Sequence, residues 1–253
     1  MSVQEHITPE GFRLDGRRVH EPRAVRCSVG APGGCDADGY AAFELGGTKV
    51  IAYVYGPMDA KPRAQANHDR ASLSCVLSTA AFGAPARASR PGRDRLSQER
   101  SLWIQQTLES AVPLEMYPRS QIRVFVQVLQ SDGGVVAAGI NAATLALVDA
   151  GIPMRDLVVA CSSGMLGHRA ALDLSREEEL ASGAQVLVGM LVSACKVSLL
   201  EVESKVPEDQ FQPLYDMAAA GCGAVAEQMR ACLLEHAAQC FSLRASLRHG
   251  KKG

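Results

Sequence analysis

The N-terminal part of the chain alternates apolar with polar or small residues in short runs, which stretches rich in glycine and proline interrupt. A two-residue period of this kind is typical of strands that bury one face. A polar loop at 56–69 and a Pro/Ala/Arg-rich stretch at 82–93 lie among these runs. We expect four strands, at residues 23–30, 40–45, 49–55 and 71–79.

Beyond residue 93 helical and strand patterns follow each other in mixed order. Asp94 can cap a helix that reaches about Val112, because apolar side chains recur there at helical spacing. A strand with one polar face at 120–130 and an apolar helix at 137–150 come next. The remaining expected elements are strands at 157–165, 170–174, 185–192 and 196–202 and a final helix from Pro207 to about Ala238. This order lacks the regular alternation of a doubly wound sheet, so the pattern predicts an α+β fold with mixed sheets packed on helices.

Composition narrows the class of protein. The 253 residues include 26 Lys and Arg against 27 Asp and Glu, a formal net charge of −1, and 47% of them are hydrophobic. A chain of this kind is globular rather than disordered and is long enough for a substantial core. A stand-alone nucleic-acid clamp usually carries a basic excess, and a base-stacking module needs more than the 5% of aromatic residues present here.

The cysteines and the most apolar stretch give further expectations. Eight cysteines form no CxxC pair and no zinc-finger spacing with histidine, so we expect neither a metal site nor a cofactor. Because no signal segment precedes them, they indicate buried thiols in the nucleus or cytosol. The apolar stretch 135–152 contains Asn141, Thr144 and Asp149, which favours a buried helix over a membrane span.

Positive charge is concentrated between residues 61 and 100, a stretch that contains eight basic side chains and three acidic ones. All but one of the basic side chains are arginine, which can bind phosphate through two parallel hydrogen bonds. Composition alone leaves two interpretations open, a solvated loop and helix face or a track for a phosphate backbone. The basic residues are Lys61, Arg63, Arg70, Arg87, Arg90, Arg93, Arg95 and Arg100.

Two groups of motifs resemble a known family. The run 12–18, Phe-Arg-Leu-Asp-Gly-Arg-Arg, is similar to the N-terminal motif of the RNase PH family. The run 129–157 contains Asp132-Gly133-Gly134 and the stretch Asp-Ala-Gly-Ile-Pro-Met-Arg-Asp-Leu. It resembles RNase PH-like subunits of the RNA exosome ring, in the branch equivalent to the archaeal catalytic subunit. The resemblance implies an RNase PH-like domain of the ribosomal-protein-S5-like type at 11–238, between an extension at 1–10 and a basic tail at 239–253.

The same resemblance implies an assembly. Six RNase PH-like subunits form a ring, cap subunits with S1 or KH modules sit on it, and single-stranded RNA passes through its pore to a separate hydrolytic 3′→5′ nuclease. We therefore expect these proteins and RNA as partners, no membrane, and a location in the nucleus, including the nucleolus, and the cytoplasm. In bacterial and archaeal relatives the ring itself is a phosphorolytic 3′→5′ exoribonuclease.

The positions that carry phosphorolysis in active relatives are altered in this sequence. The Thr/Ser-Arg pair after the Gly-Gly turn is replaced by Val135 and Val136, and the two Asp residues six apart are replaced by Glu179 and Gln185. Of two adjacent arginines at a helix start, Arg95 remains and the other is Leu96. Since apolar side chains cannot hold a phosphate ion, we expect a catalytically inactive site. We expect Glu177 to Glu179 to form a solvated turn.

The changes remove residues needed for phosphorolysis, but they leave basic residues that can contact RNA. Lys61 and Arg63 fall in the loop that narrows the pore of archaeal relatives, while Arg70 and Arg95 flank predicted elements. Such side chains hold phosphates without reading bases, which suits a conduit for any sequence. The leading hypothesis is a non-catalytic, RNA-lining ring subunit. The alternatives are an active phosphorolytic exoribonuclease and an unrelated small-molecule α+β enzyme.

Overall fold

The structure is a computed structural model that describes residues 7–8, 10–30, 36–59, 68–83, 95–167 and 169–250, with only the backbone described at 243–250. Two sheets and four α-helices make up the described part. The α+β class predicted from the sequence pattern is confirmed.

The first sheet is mixed and has the strand order β1-β2-β3-β5-β4. Its strands β4 and β5 are parallel, while the other neighbours are antiparallel. Every second side chain on β2, from Gly39 to Leu45, is buried, as the alternation in the sequence predicts. The strands are β1 at Val25–Val29, β2 at Gly39–Leu45, β3 at Thr48–Asp59, β4 at Ser72–Thr79 and β5 at Ser120–Gln130.

The second sheet is antiparallel throughout, in the order β7-β6-β8-β9. Its central strand β6 is buried along most of its length, because helices pack against it. The strands are β6 at Val158–Leu166, β7 at Arg169–Leu172, β8 at Gln185–Leu191 and β9 at Lys196–Val202.

Helix α2 forms the centre of the molecule. It contacts β2 and β3 of the first sheet and β6 of the second, and nearly all of its residues are buried. Buried Asn141 is satisfied by the backbone of Ala160 through hydrogen bonds of 2.8 and 3.0 Å. The α-helices are α1 at Arg95–Ala111, α2 at Val135–Asp149, α3 at Arg176–Ala181 and α4 at Glu208–Gly250. Among the described residues, no helix combines the length and apolar character that crossing a membrane needs.

Three expectations about secondary structure are wrong. Strand β3 continues to Asp59, so residues 56–59, expected in a loop, belong to the strand. The glutamates from Glu177 to Glu179 lie in helix α3 rather than in a solvated turn, because Ser175 and Glu178 form a capping box at its start. Helix α4 continues past Ala238 to Gly250, where the first glycine after Gly223 occurs. The described part of the basic segment is therefore helical, since nothing in it interrupts a helix.

Candidate functional site

A cleft of about 450 Å³ opens beside the N-terminus of α2, with walls from α1, α3, β8 and β9. All five positions at which the sequence departs from the pattern of active relatives line this cleft. They come from four separate parts of the chain. The fold brings them together at one place, although the sequence linked them only through the resemblance to the family. The five are Leu96, Val135, Val136, Glu179 and Gln185.

The turn from β5 into α2 places the first wall of the cleft. Gly133 and Gly134 both adopt left-handed backbone conformations, with φ of 80° and 63°. A Cβ atom on Gly133 would lie 2.4 Å from the carbonyl oxygen of Leu174, so the turn also requires glycine for close packing. The Thr48 hydroxyl donates to the carbonyl oxygen of Gly133 at 2.6 Å and fixes the turn against β3. Helix α2 therefore begins at Val135, beside the cleft.

The second wall is α3, which a buried ion pair holds in place. The Arg13 guanidinium donates from Nε to Glu178 Oε1 at 2.8 Å, and a further hydrogen bond joins the same two side chains. Arg13 also donates to the backbone carbonyls of Leu172 and Asp173. Because this pair fixes α3 to the N-terminal segment, the next residue, Glu179, has a defined direction toward α2.

Glu179 places its carboxylate at the N-terminus of α2. Its Oε1 accepts a hydrogen bond of 2.7 Å from the backbone N–H of Gly134. Gln185 Nε2 donates to the backbone carbonyl of Glu179 at 2.7 Å. Gln185, which stands where active relatives have an acid, therefore helps to hold Glu179 in position. The free amides at a helix N-terminus attract anions, and here a side chain of the protein itself is bound to one of them.

The surroundings of Glu179 act in opposite directions on its pKa. Burial raises it, whereas the Gly134 N–H and the charges of Arg23 and Arg100 lower it. The net result is a pKa above the usual value for a glutamate, so this acid takes up a proton more readily than a solvated one.

The cleft contains further charged and aromatic residues that sequence reasoning did not assign to it. Trp103 and the arginines Arg100 and Arg176 line it, together with Glu201 and Glu203. A signal for Arg100 was present, because it follows Leu96 by four residues on one helix face. No local pattern marks Arg176, Glu201 near the end of β9 or Glu203 just after it, since only the packing of α3 and β9 brings them to the cleft.

Two of the four predicted RNA-binding residues are described by the structure, and neither is part of this cleft. Arg70 precedes β4 and Arg95 begins α1, and both are exposed. Neither is among the residues that line the cleft. Lys61 and Arg63 lie outside the described residues. The assignment of these four residues to RNA stays a prediction.

In the described ranges, no group of three or more His, Cys, Asp or Glu side chains is arranged to hold a metal ion. Cys161 is buried in the core, as expected, and burial raises its pKa well above the usual value for a thiol. The cysteines of the described part are free thiols, but the expectation that they are buried is wrong for four of them. Cys195 is exposed, and three are half-buried, namely Cys27, Cys232 and Cys240.

Family models match most of the chain. The model described as the 3′ exoribonuclease family, domain 1, matches residues 21–153, and domain 2 of the same family matches residues 156–221. The "Exosome complex component RRP41 homolog" of Arabidopsis thaliana is 48% identical over 243 residues, which cover 96% of this chain and 100% of that protein. The "Exosome complex component RRP41" of Homo sapiens is 44% identical over 220 residues, which cover 87% and 89%. For Pyrococcus furiosus Rrp41 the identity is 42% over 229 residues, with 90% of each chain covered.

Solved structures share the fold. Rice Rrp46 superposes with a TM-score of 0.75 at 26% identity and covers 86% of this chain and 98% of its own. A chain of the Archaeoglobus fulgidus exosome "with RNA bound to the active site" superposes with a TM-score of 0.74 at 23% identity, covering 87% and 93%. At 23% identity, the match to the Archaeoglobus fulgidus chain establishes only a common fold.

Proposed function

The chain belongs to the RNase PH family of 3′ exoribonucleases, and from this premise we propose that it is a core-ring subunit of an RNA exosome that contacts RNA without cleaving it. The names of its relatives support the exosome part of the proposal, because exosome components match over almost their whole lengths. The chemistry of the cleft supports the non-catalytic part.

The observation that carries the proposal is the hydrogen bond between the Gly134 N–H and the Glu179 carboxylate. Phosphorolysis brings inorganic phosphate against the last 3′ phosphodiester, so two anions need hydrogen-bond donors and positive charge at one place. In this chain an internal carboxylate already accepts a hydrogen bond from one backbone amide at the N-terminus of α2, that of Gly134. The next two side chains, Val135 and Val136, offer no donor. At this end of α2 a phosphate ion would have to displace a like charge, and the two valine side chains would give it no hydrogen bond.

The wider role follows from the family. The partners that we propose are other RNase PH-like subunits in a six-membered ring, S1 or KH cap subunits, a hydrolytic 3′→5′ exoribonuclease and single-stranded RNA. The location that we propose is the nucleus, including the nucleolus, and the cytoplasm. Co-purification of the chain with such a particle is the expected result, and an isolated small-molecule enzyme would not give it.

An active phosphorolytic subunit is the second candidate. Glu179 keeps an acid in the cleft with a raised pKa, which suits a group that manages the proton of a leaving oxygen. Arg95 also remains at the start of α1. These two features favour the candidate, but they supply no site for the attacking phosphate.

Phosphate-dependent release of nucleoside diphosphates separates the two candidates. A reconstituted ring that contains this chain, given 5′-labelled single-stranded RNA and inorganic phosphate, is expected to release none above a no-phosphate control. The variant L96R/V135T/V136R/E179D/Q185D restores the family pattern and is expected to gain release. Robust release by the natural chain that Glu179→Gln abolishes, and that the exposed control Glu177→Gln leaves intact, would contradict the proposal.

A further inference from the structure

We propose that the cleft binds one phosphodiester group of single-stranded RNA between the guanidinium groups of Arg100 and Arg176. Neither residue is at a position that the family resemblance assigns to phosphate. The inference rests on the proposed function, because it takes RNA to be the natural ligand. It adds a second RNA contact, separate from the exposed arginines Arg70 and Arg95.

Arg100 has unused hydrogen-bonding capacity inside the cleft. Its Nε is buried and finds no hydrogen-bond partner among the described residues. A buried donor that lacks a partner is unfavourable, and a ligand with an acceptor oxygen in the cleft would supply that partner. One turn earlier on α1 lies Leu96, where the family pattern has a basic residue. The guanidinium of Arg100 therefore supplies, from the same helix face, the charge that Leu96 lacks.

Arg176 supplies the second guanidinium from a different wall. It is the first residue of α3, and its backbone N–H donates to Asp132 Oδ1 at 3.4 Å. Its side chain makes no hydrogen bond or ion pair with the part of the chain that the structure describes. The buried pair of Arg13 and Glu178 fixes α3, so the base of the Arg176 side chain is held in place. Two planar guanidinium groups at one cleft, with no hydrogen bond to the described residues, are suited to the oxygens of a phosphate group.

The remaining side chains favour a diester over free phosphate. Three carboxylates, those of Glu179, Glu201 and Glu203, line the same cleft. They repel a divalent phosphate ion more strongly than the single charge of a phosphodiester. The half-buried ring of Trp103 also lines the cleft and can stack on a base next to the bound group.

The fluorescence of Trp103 provides a direct test, because it is the one tryptophan in the chain. The full-length chain is titrated with a single-stranded RNA decamer, and a saturable change in emission is expected. Arg100→Gln and Arg176→Gln are each expected to raise Kd about tenfold. Each is also expected to lower the slope of log K against log salt by about 0.7, the value for one phosphate contact on a single strand. Arg169→Gln, an exposed change outside the cleft, is the matched control and should alter neither quantity.

A variant that is expected to bind RNA more tightly shows that a loss of binding in the other variants is not caused by misfolding. Glu201→Gln removes a negative charge from the cleft and should tighten RNA binding, which a damaged fold would not do. An R100Q/R176Q variant that keeps the natural Kd and salt slope would overturn the inference, as would an unchanged emission on adding RNA. Inorganic phosphate that changes the emission at or below the concentration of RNA phosphate would overturn the choice of a diester. Diphosphate release by the ring decides the proposed function separately, whatever the titration gives.

Discussion

Three consecutive glutamates on α3 have three different environments. Glu177 is exposed, Glu178 is buried against Arg13, and Glu179 reaches the N-terminus of α2. Burial alone would raise the pKa of the Glu178 carboxyl, but hydrogen bonds from Arg13 and Ser175 hold it below the usual value. The pKa of Glu179 is raised instead, because burial outweighs the groups that stabilise its charge. The fold thus uses one acid for stability and places the next at the cleft.

Glu178→Gln is expected to lower the free energy of unfolding at pH 7 by about 3–5 kcal/mol, because it leaves the Arg13 charge buried without its partner. The folded-state pKa of Glu178 is depressed, so its contribution is fully present above the unfolded value of about 4.3 and is lost as pH falls through the folded value. Urea unfolding at a series of pH values measures both effects. The difference between natural chain and variant should shrink below pH 4.3, and Glu177→Gln should cost almost nothing. A difference that grew as the pH fell would contradict this account of the pair.

The motifs predicted which positions of the cleft are altered, but they did not predict that the Glu179 carboxylate binds the N-terminus of α2. Val135 and Val136 follow a recognisable Gly-Gly turn, and their loss of donors is a local property of the sequence. The direction of Glu179 depends on the pair of Arg13 and Glu178, which are 165 residues apart in the chain. No local pattern connects such residues, and for this reason the sequence alone predicts a solvated turn for the three glutamates.

At the scale of elements, periodicity predicted the strands and the longer helices well, because each buries one regular face. It failed for α3, which is six residues long and depends on its capping box. It also ended α4 too early, where the apolar pattern weakens although no helix-breaking residue follows. Short helices and exposed helical ends lack a continuous buried stripe, so their patterns carry little signal.

Two glycines on α4 allow its packing to be tested with a matched pair. A Cβ atom on Gly221 would lie 2.5 Å from Leu172 Cδ1 and 2.9 Å from Cys161 Sγ, whereas one on Gly223 meets nothing within 4 Å. Gly223→Ala should raise the free energy of unfolding by about 0.5–1 kcal/mol through helix propensity. Gly221→Ala should lower it by about 1–3 kcal/mol, because the buried Leu172 and Cys161 have little room to move.

Chemical denaturation of both variants measures the two changes under one condition. Equal stabilisation by the two substitutions would mean that α4 does not press against β6 and β7 at Gly221. The close approach at this glycine would then be absent from the folded protein.

For the molecule as a whole, near-neutral charge and RNA contact are compatible because the charges are unevenly placed. The net charge is −1, yet residues 61–100 contain eight basic against three acidic side chains. Of these, Arg70 and Arg95 are exposed, while Arg100 lies in the cleft. We expect a single subunit with this charge distribution to bind RNA weakly, whereas the proposed ring, which encloses the strand, would hold it through a few contacts from each subunit.

The predicted RNA track, here represented by Arg63, Arg70 and Arg95, is tested in the assembled ring by the triple change R63Q/R70Q/R95Q. Each lost phosphate contact reduces the number of counterions that the RNA releases on binding. RNA protection should therefore weaken, and the slope of log K against log salt should fall by about 0.7 per contact. The control R18Q/R26Q/R169Q removes the same charge from exposed positions outside the track and should leave the slope unchanged. RNA protection that stays at the natural level at every salt concentration would show that the track does not contact RNA. Since Arg100 and Arg176 remain in the triple variant, the Trp103 titration should still saturate, which separates passage along the ring from binding in the cleft.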